Sequence, residues 1–288
     1  MLPPWLSIKP ASTEKYAQIK SSISQLGLHT VCVEARCPNM SECWSSGTAT
    51  FMILGDLCTR GCTFCAVSKS AKGGAVDPLE PDKLAKIVSE WKLDYIVITS
   101  VCRDDMPDQG SAHFARCVTQ IKKENPNTLV EVLIPDFRDD EQCLRRISQS
   151  NPDVIGHNIE TVERLTPQAR DRRASYRQSL DVLRRFKQIN PDIYTKSAMM
   201  LGIGESEEEV VGAMKDLRSV GVDFLAIGQY LRPTQHHLEV KEYIRPDIFE
   251  RYRLMGMSLG FKYIAAGPFV RSSYKAGEYF IKSIVKSR

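Results

Sequence analysis

From Thr50 onward the chain alternates short apolar, β-branched runs with longer amphipathic segments. The runs fall at Thr50–Leu54, Tyr95–Thr99, Leu129–Ile134, Val154–Asn158, Tyr194–Leu201 and Phe224–Ile227. Continuous apolar runs of this length suit strands buried on both faces. Between them, the segments near Asp82–Trp91, Ser111–Glu124, Glu141–Gln149, Ser175–Gln188 and Ser206–Val220 read as helices. Ser206 with Glu209 has the spacing of a capping box, and Pro246 suits the first turn of a later helix ending near Gly260. Before Thr50 the pattern is mixed: a helical stretch from Thr13 to Leu26 leads into a cysteine-rich loop.

Six strands alternating with helices predict an α/β fold with a parallel sheet and right-handed crossovers. No GxGxxG follows the first strand and no Walker loop is present, so the pattern favours a partial (β/α)6 TIM-like barrel. Residues 1–49 form an N-terminal extension, 50–232 the barrel and 233–288 a C-terminal extension in this division. Polar residues gather just after the strands, at Thr99–Asp105, Pro135–Asp139, Asn158–Thr161, Gly202–Glu205 and Gly228–Thr234. That is where barrel enzymes keep their working residues.

A chain of 288 residues, 42% hydrophobic and 26% charged, has the composition of a globular protein and excludes disorder throughout. No apolar run reaches the ~18 residues of a membrane span. The opening Met1-Leu-Pro-Pro-Trp5 lacks the pattern of a secretory signal. No membrane partner and a cytoplasmic, reducing location are therefore expected. A net charge of +4 is too weak to argue for nucleic acid.

Cysteine usage changes the picture. Six of the nine cysteines lie between Cys32 and Cys65; the others are Cys102, Cys117 and Cys143. In a reducing compartment such clusters bind metal more often than they form disulfides. Cys58, Cys62 and Cys65 make a CxxxCxxC motif just after the first strand. Three thiolates this close suit three corners of a 4Fe–4S cubane, leaving one iron open. A structural zinc loop with a fourth ligand from elsewhere fits the same spacing. Cys32, Cys37 and Cys43 form a second triad, either three buried thiols or a second cluster site.

With both triads in view, the chain resembles the radical S-adenosylmethionine (SAM) enzymes, and within them the lipoyl synthase family. The resemblance runs through nearly the whole chain. It is carried by Leu28–Cys32, Arg36–Asn39, Glu42–Trp44, Gly47–Met52, Cys58–Cys65, Thr99–Val101 with Arg103–Asp105, Pro135–Arg138, His157–Val162, Lys196–Gly202, Gly228–Leu231 and Gly267–Tyr274. The two triads with the terminal Arg271-Ser-Ser-Tyr274 are its most specific part.

The resemblance implies that Cys58, Cys62 and Cys65 hold the 4Fe–4S cluster that binds SAM. One electron then breaks the sulfonium C–S bond and gives a 5′-deoxyadenosyl radical, with the protein supplying position and exclusion of water. It implies that Cys32, Cys37 and Cys43, with Ser273 (or Ser272) as fourth ligand, hold an auxiliary 4Fe–4S cluster that supplies the inserted sulfur. The implied substrate is an octanoyl-lysine on a lipoyl carrier, sulfurated at carbons 6 and 8 at the expense of two SAM molecules. Implied partners are the acyltransferase subunits of 2-oxo-acid dehydrogenases and the glycine cleavage H protein, with flavodoxin or ferredoxin as reductant. Phe64 is expected near the adenine, Asn158 and Glu160 at the ribose or amino group, and Ser100 and Arg103 at the methionine end. Lys196, within the fifth strand, is expected to meet an anionic cofactor group, because a buried lysine needs a partner. Each of these six is also readable as an ordinary core or hydrogen-bonding residue.

Two positions depart from the expected pattern: Val33 and Cys102 stand where an acidic residue is expected. Cys117 and Cys143 read as small buried hydrophobes in helices. His236 and His237 read as solvated or pocket-lining. Asp104-Asp105 and Asp139-Asp140 read as loop charges and caps. The run Arg170, Arg172, Arg173, Arg177 reads as a solvated face, or else as a dock for an acidic carrier domain. Two other classes stay open on the residues alone. One is a different radical SAM sulfur-inserting enzyme. The other is a non-enzymatic zinc-binding interaction module.

Overall fold

The structure, a computed structural model, describes residues 2–7, 13–45, 49–273, 281 and 283–286. Gly47 and Tyr274, both part of the family-like stretches above, lie outside them. The chain divides into two compact units. One comprises Ile8–Arg60 and Ala66–Val154; the other comprises Met1–Ser7, Gly61–Cys65 and Ile155–Arg288.

The first unit opens with α1 (Glu14–Leu26), where Thr13 Oγ1 accepts the Tyr16 N–H and Gly27, at φ 61°, ends the helix in the left-handed conformation. The cysteine-rich stretch is not a plain loop. It holds β1 (His29–Thr30), the short helix α2 (Val31–Glu34) and α3 (Met40–Ser45). Then come β2 (Thr50–Ile53), β3 (Leu57–Cys58) and β4 (Ser68–Lys69). The remainder is α4 (Glu80–Glu90), β5 (Tyr95–Ser100), α5 (Ser111–Glu124), β6 (Leu129–Leu133) and α6 (Glu141–Gln149). β1 runs antiparallel to β2, while β2, β5 and β6 pair in parallel, Ile53 opposite Ser100 and Thr99 opposite Leu133. β3 and β4 pair separately. Strand β2 is buried at all four residues, as its apolar run requires.

The second unit takes over within β7 (Val154–Gly156). It continues through α7 (Thr166–Ala169), α8 (Tyr176–Ile189), β8 (Tyr194–Leu201), α9 (Glu207–Ser219), β9 (Phe224–Gln229), α10 (Pro246–Ser258) and β10 (Tyr263–Gly267). β8, β9 and β10 are parallel neighbours. The capping box at Ser206 and Glu209 is present in both directions. Met199, Leu201, Leu225 and Ile227 share one core with Val210, Met214, Leu217 and Phe249 from the helices. Alternation along a strand sends the intervening residues to the opposite face. There Ala198, Ala226 and Ala265 leave a shallow lining against Val270.

β10 was not expected from the sequence. Ala265-Ala-Gly267 lacks the bulky β-branched residues that mark a strand, and pairing with β9 forms it. Among the described residues, no helix is long and apolar enough to cross a membrane.

Candidate functional site: two cysteine triads and the residues that brace them

Cys58 closes β3, where its carbonyl accepts the Ser70 N–H at 3.0 Å. Its sulfur accepts the Arg60 N–H at 3.5 Å. A hydrogen bond from the Cys102 thiol, aided by that Arg60 amide and charge against the cost of burial, pulls the Cys58 thiol below its usual range. The same contact and burial push Cys102 up. Cys102 therefore stands beside a cluster-motif sulfur as a neutral thiol. The Thr59 N–H and hydroxyl both bond its carbonyl, at 3.0 and 2.9 Å.

Arg60, inside the motif, is 5% exposed and sits between two carboxylates. It bonds Asp104 through Nε and Nη2, both at 3.0 Å, and Asp136 through Nη2 at 2.7 Å and through Nη1. Asp104 also accepts from Thr59 at 2.8 Å and Arg138 at 3.0 Å. Burial opposes ionisation of Asp104, but Arg60 outweighs it and holds the carboxyl well below the usual carboxylate range. The reading of Asp104 as a loop charge is thus corrected: it belongs to a buried ion cluster under the cysteine loop. Asp140 does cap α6, through the Cys143 N–H at 2.9 Å. Removing one partner leaves Arg60 buried and half-compensated. Asp136→Ala is therefore expected to cost about 3–5 kcal/mol, measured by urea unfolding of the cluster-free protein. The Asp104 contribution is full above pH ~4. It is lost as pH falls toward the depressed value.

In the second unit, the turn Gly61–Cys65 is braced by a segment whose charges had suggested a surface. The Asp171 N–H donates to Cys62 Sγ at 3.4 Å, and the Asp171 carboxylate accepts the Gly61 N–H at 2.7 Å. Arg173 bonds that carboxylate and, ahead of its backbone partners, holds it well below its usual range. Arg170 is buried and donates to Ser179 at 2.7 Å, and Arg177 pairs with Glu163 at 3.0 Å. Three of the four arginines thus have partners within the unit, but Arg172, Arg173 and Arg177 are exposed, so the solvated reading holds for those three and fails only for the buried Arg170. From the other side His237 Nε2 lies 3.2 Å from the Cys65 carbonyl, and the Leu238 N–H donates to Thr63 at 3.0 Å. Asp171 and His237 have no motif spacing to the cysteines, so nothing in the sequence singled out their bracing roles.

The N-terminal triad lies wholly in the first unit. The Cys37 N–H bonds the Cys32 carbonyl at 2.9 Å, and the Cys43 N–H the Asn39 carbonyl at 2.9 Å. Cys32 is buried, which pushes its thiol up to about 11 against the pull of the Thr50 backbone and the Trp44 indole. Val33 is 48% exposed on α2.

The remaining predicted residues divide between structural and open roles. Phe64 packs against the core of the second unit. Arg103 is held by Asp105 at 2.9 and 3.0 Å and by the Leu54 carbonyl, and Gly73 packs on its guanidinium so closely that a Cβ would lie 2.2 Å away. Its charge is neutralised, so the structure gives Arg103 a bracing contact. Ser100, at the end of β5, has a buried Oγ without a partner among the described residues. Asn158 donates to Glu160 at 3.2 Å, and shielding of the Glu160 carboxyl raises its pKa despite Arg170 and Asn158. Lys196 is 6% exposed on the face of β8 that carries Ala198. Ser272 and Ser273 form a half-buried turn after Arg271, whose guanidinium bonds the Val270 carbonyl at 2.7 Å. Glycine at 228 permits this approach: a Cβ there would lie 2.0 Å from Val270 O.

A further group, Glu80, His113 and Cys117, has metal-ligand chemistry. The hydrogen bonds around it argue otherwise. Arg116 can only donate, so His113 Nδ1 at 2.9 Å is an acceptor and Nε2–H faces Glu80 at 2.6 Å. A ligating histidine donates its other nitrogen outward. Glu80 instead accepts the Leu54 N–H at 3.1 Å, fixing the end of β2.

Comparisons with known proteins identify the family. The Radical SAM superfamily matches residues 52–217, and the N-terminal domain of lipoyl synthase of the Radical SAM family matches residues 1–37. A mitochondrial lipoyl synthase of Aedes aegypti is 54% identical over 100% of this chain and 74% of its own length. An apicoplast lipoyl synthase of Toxoplasma gondii is 53% identical over 98% of this chain and 52% of its own. Among solved structures, the FeFe-hydrogenase maturase HydG of Carboxydothermus hydrogenoformans aligns with TM-score 0.58 at 13% identity, over 94% of this chain and 78% of that one. Coproporphyrinogen III oxidase of Escherichia coli, a radical SAM enzyme, aligns with TM-score 0.52 at 11% identity, over 73% of this chain and 52% of that one. These likenesses establish the α/β fold with mostly parallel strands and neighbours among the radical SAM enzymes. The cytoplasmic expectation is overturned, since the relatives are named for mitochondria and apicoplasts and point to an organelle. The absence of a signal pattern near Met1 was too weak a ground for it. With more than half its residues matched by the superfamily and over half identical to a lipoyl synthase along its full length, the chain belongs to the lipoyl synthase family of radical SAM enzymes.

Proposed function

We propose that this chain inserts two sulfur atoms, at carbons 6 and 8, into an octanoyl-lysine carried by a lipoyl carrier domain. The observation that carries this reading is the pair of triads, Cys58/Cys62/Cys65 and Cys32/Cys37/Cys43, in a chain of this family. Membership of the family brings two 4Fe–4S clusters, with SAM as cosubstrate. Residues 1–49 would serve the auxiliary cluster, 50–232 the radical chemistry, and 233–288 the fourth ligand, Ser273.

The residues present fit these groups. Backbone amides aimed at Cys58 Sγ and Cys62 Sγ favour the thiolates that iron requires. Within the second unit, the shielded Glu160 carboxyl suits a polar group of SAM; in the first, the Ser100 hydroxyl is buried without a partner among the described residues. The bound clusters supply electron delivery for SAM cleavage and the sulfur that is inserted. The protein's own part is to hold that chemistry still. Arg60, Asp171 and His237 fix the cysteine loop, and Asn158 orients Glu160 for a cationic or hydroxyl partner. The partners we propose are the acyltransferase subunits of 2-oxo-acid dehydrogenases and the glycine cleavage H protein, with flavodoxin or ferredoxin as reductant.

Iron and acid-labile sulfide in anaerobically purified protein test the reading. About eight of each per chain are expected. Conversion of an octanoyl-lysine peptide to the lipoyl product should accompany them. Zinc without sulfide after reconstitution would overturn the proposal and favour a zinc-binding module.

A further inference from the structure

Trp44 stands out once Cys32, Cys37 and Cys43 are read, as above, as ligands of the auxiliary cluster. Its side chain is 2% exposed, and its indole N–H is buried without a hydrogen-bond acceptor among the described residues. A buried donor left unpaired is costly, and native interiors rarely tolerate one. Trp44 directly follows Cys43 on α3, and its N–H lies beside the Cys32 sulfur, outside hydrogen-bond geometry. The ring is fixed by Tyr16 of α1, with centroids 5.2 Å apart at 39°. A rigid, buried donor thus stands beside the Cys32 thiol, on the residue after Cys43, without a well-formed hydrogen bond. Ser45 Oγ, the next residue along, is likewise buried and unpartnered among the described residues.

We propose that Trp44 is a positioning residue for the auxiliary cluster, its indole N–H donating to a sulfur of the cluster held by Cys32, Cys37 and Cys43. Hydrogen bonds to sulfur favour the more negatively charged states of iron–sulfur clusters and raise their potentials. The donor would therefore hold electron density on the cluster and slow its breakdown. A purely packing role predicts something different: it treats the loaded and cluster-free proteins alike and is indifferent to whether the replacement ring keeps an N–H.

The test uses full-length chain with Cys58, Cys62 and Cys65 replaced by Ala, so that only the N-terminal triad loads. In that background Trp44→Phe and Trp44→His are compared with Trp44. Iron and sulfide content are measured first, then the rate of iron loss to a chelator and the cluster's reduction potential. About four irons per chain confirm the reading itself; no cluster overturns both the reading and the inference. Trp44→Phe is expected to lose iron about three- to tenfold faster, the worth of one hydrogen bond, and to reduce at a lower potential. Trp44→His, which keeps a ring N–H, should recover part of both. Cluster-free Trp44→Phe should unfold no more easily than cluster-free Trp44→His. Equal effects of the two substitutions, or an unchanged potential in Trp44→Phe, would overturn the proposal. Wild-type protein gives a check that needs no variant to fold. Of its three tryptophan indole N–H signals, one should undergo a hyperfine shift on loading the triad. If all three stay unshifted, the donor is not at the cluster.

Discussion

Cys62→Ala is expected to abolish SAM cleavage and to drop iron from about eight to about four per chain. Two thiolates cannot retain a cluster that already leaves one iron without a protein ligand. The local structure makes the loss specific. The Cys62 carbonyl still accepts the Cys65 N–H at 3.3 Å, and Asp171 still holds the Gly61 N–H at 2.7 Å. Neither bond uses the lost sulfur. What disappears is the acceptor of the Asp171 N–H, a single part-buried hydrogen bond to sulfur. The variant should therefore fold, load the N-terminal triad and make no 5′-deoxyadenosine from SAM under reducing conditions, read by chromatography. Measurable 5′-deoxyadenosine from a variant holding about four irons would mean that this triad is not where SAM is cleaved.

Much of the fold was legible because its strands are short, apolar and regularly spaced. Tyr194–Leu201, Ser111–Glu124 and Glu141–Gln149 stand where the periodicity places them. The two triads were legible because each gathers three cysteines within about a dozen residues, a spacing visible without the fold. Other features have no local signature. α2 and α3 are four and six residues long, too short for periodicity to show. The bracing of the cysteine turn by Asp171 and His237 joins residues far apart in sequence, and nothing short of the fold brings them together. Within the arginine run only Arg170 misled, for a related reason: its partner Ser179 lies on α8, and nothing local shows that its charge is buried. Arg103 shows the converse. Its position after a strand suggested a ligand contact, and the partner it has within the protein, Asp105, lies only two residues on.

Cys37→Ala is expected to separate the two halves of the reaction. SAM cleavage should persist while sulfur insertion falls below detection. Cys37 and its neighbours contribute to the fold through backbone bonds that alanine keeps: Cys37 N–H to Cys32 O at 2.9 Å, and Met40 N–H to the Cys37 carbonyl at 3.3 Å. The side chain itself is only half-buried, so truncating it removes little apolar contact. The fold and the Cys58 loop, which is held by Arg60, Asp104 and Asp136, should survive. The N-terminal triad, however, loses one of three thiolates, and a serine oxygen is a poorer iron ligand than the thiolates that remain. Two measurements on one sample decide the matter: 5′-deoxyadenosine by chromatography, and lipoyl or monothiolated peptide by mass spectrometry. Cleavage without sulfur gain assigns radical formation to Cys58, Cys62 and Cys65, and sulfur supply to Cys32, Cys37 and Cys43. Normal lipoyl formation by Cys37→Ala would show that sulfur comes from elsewhere.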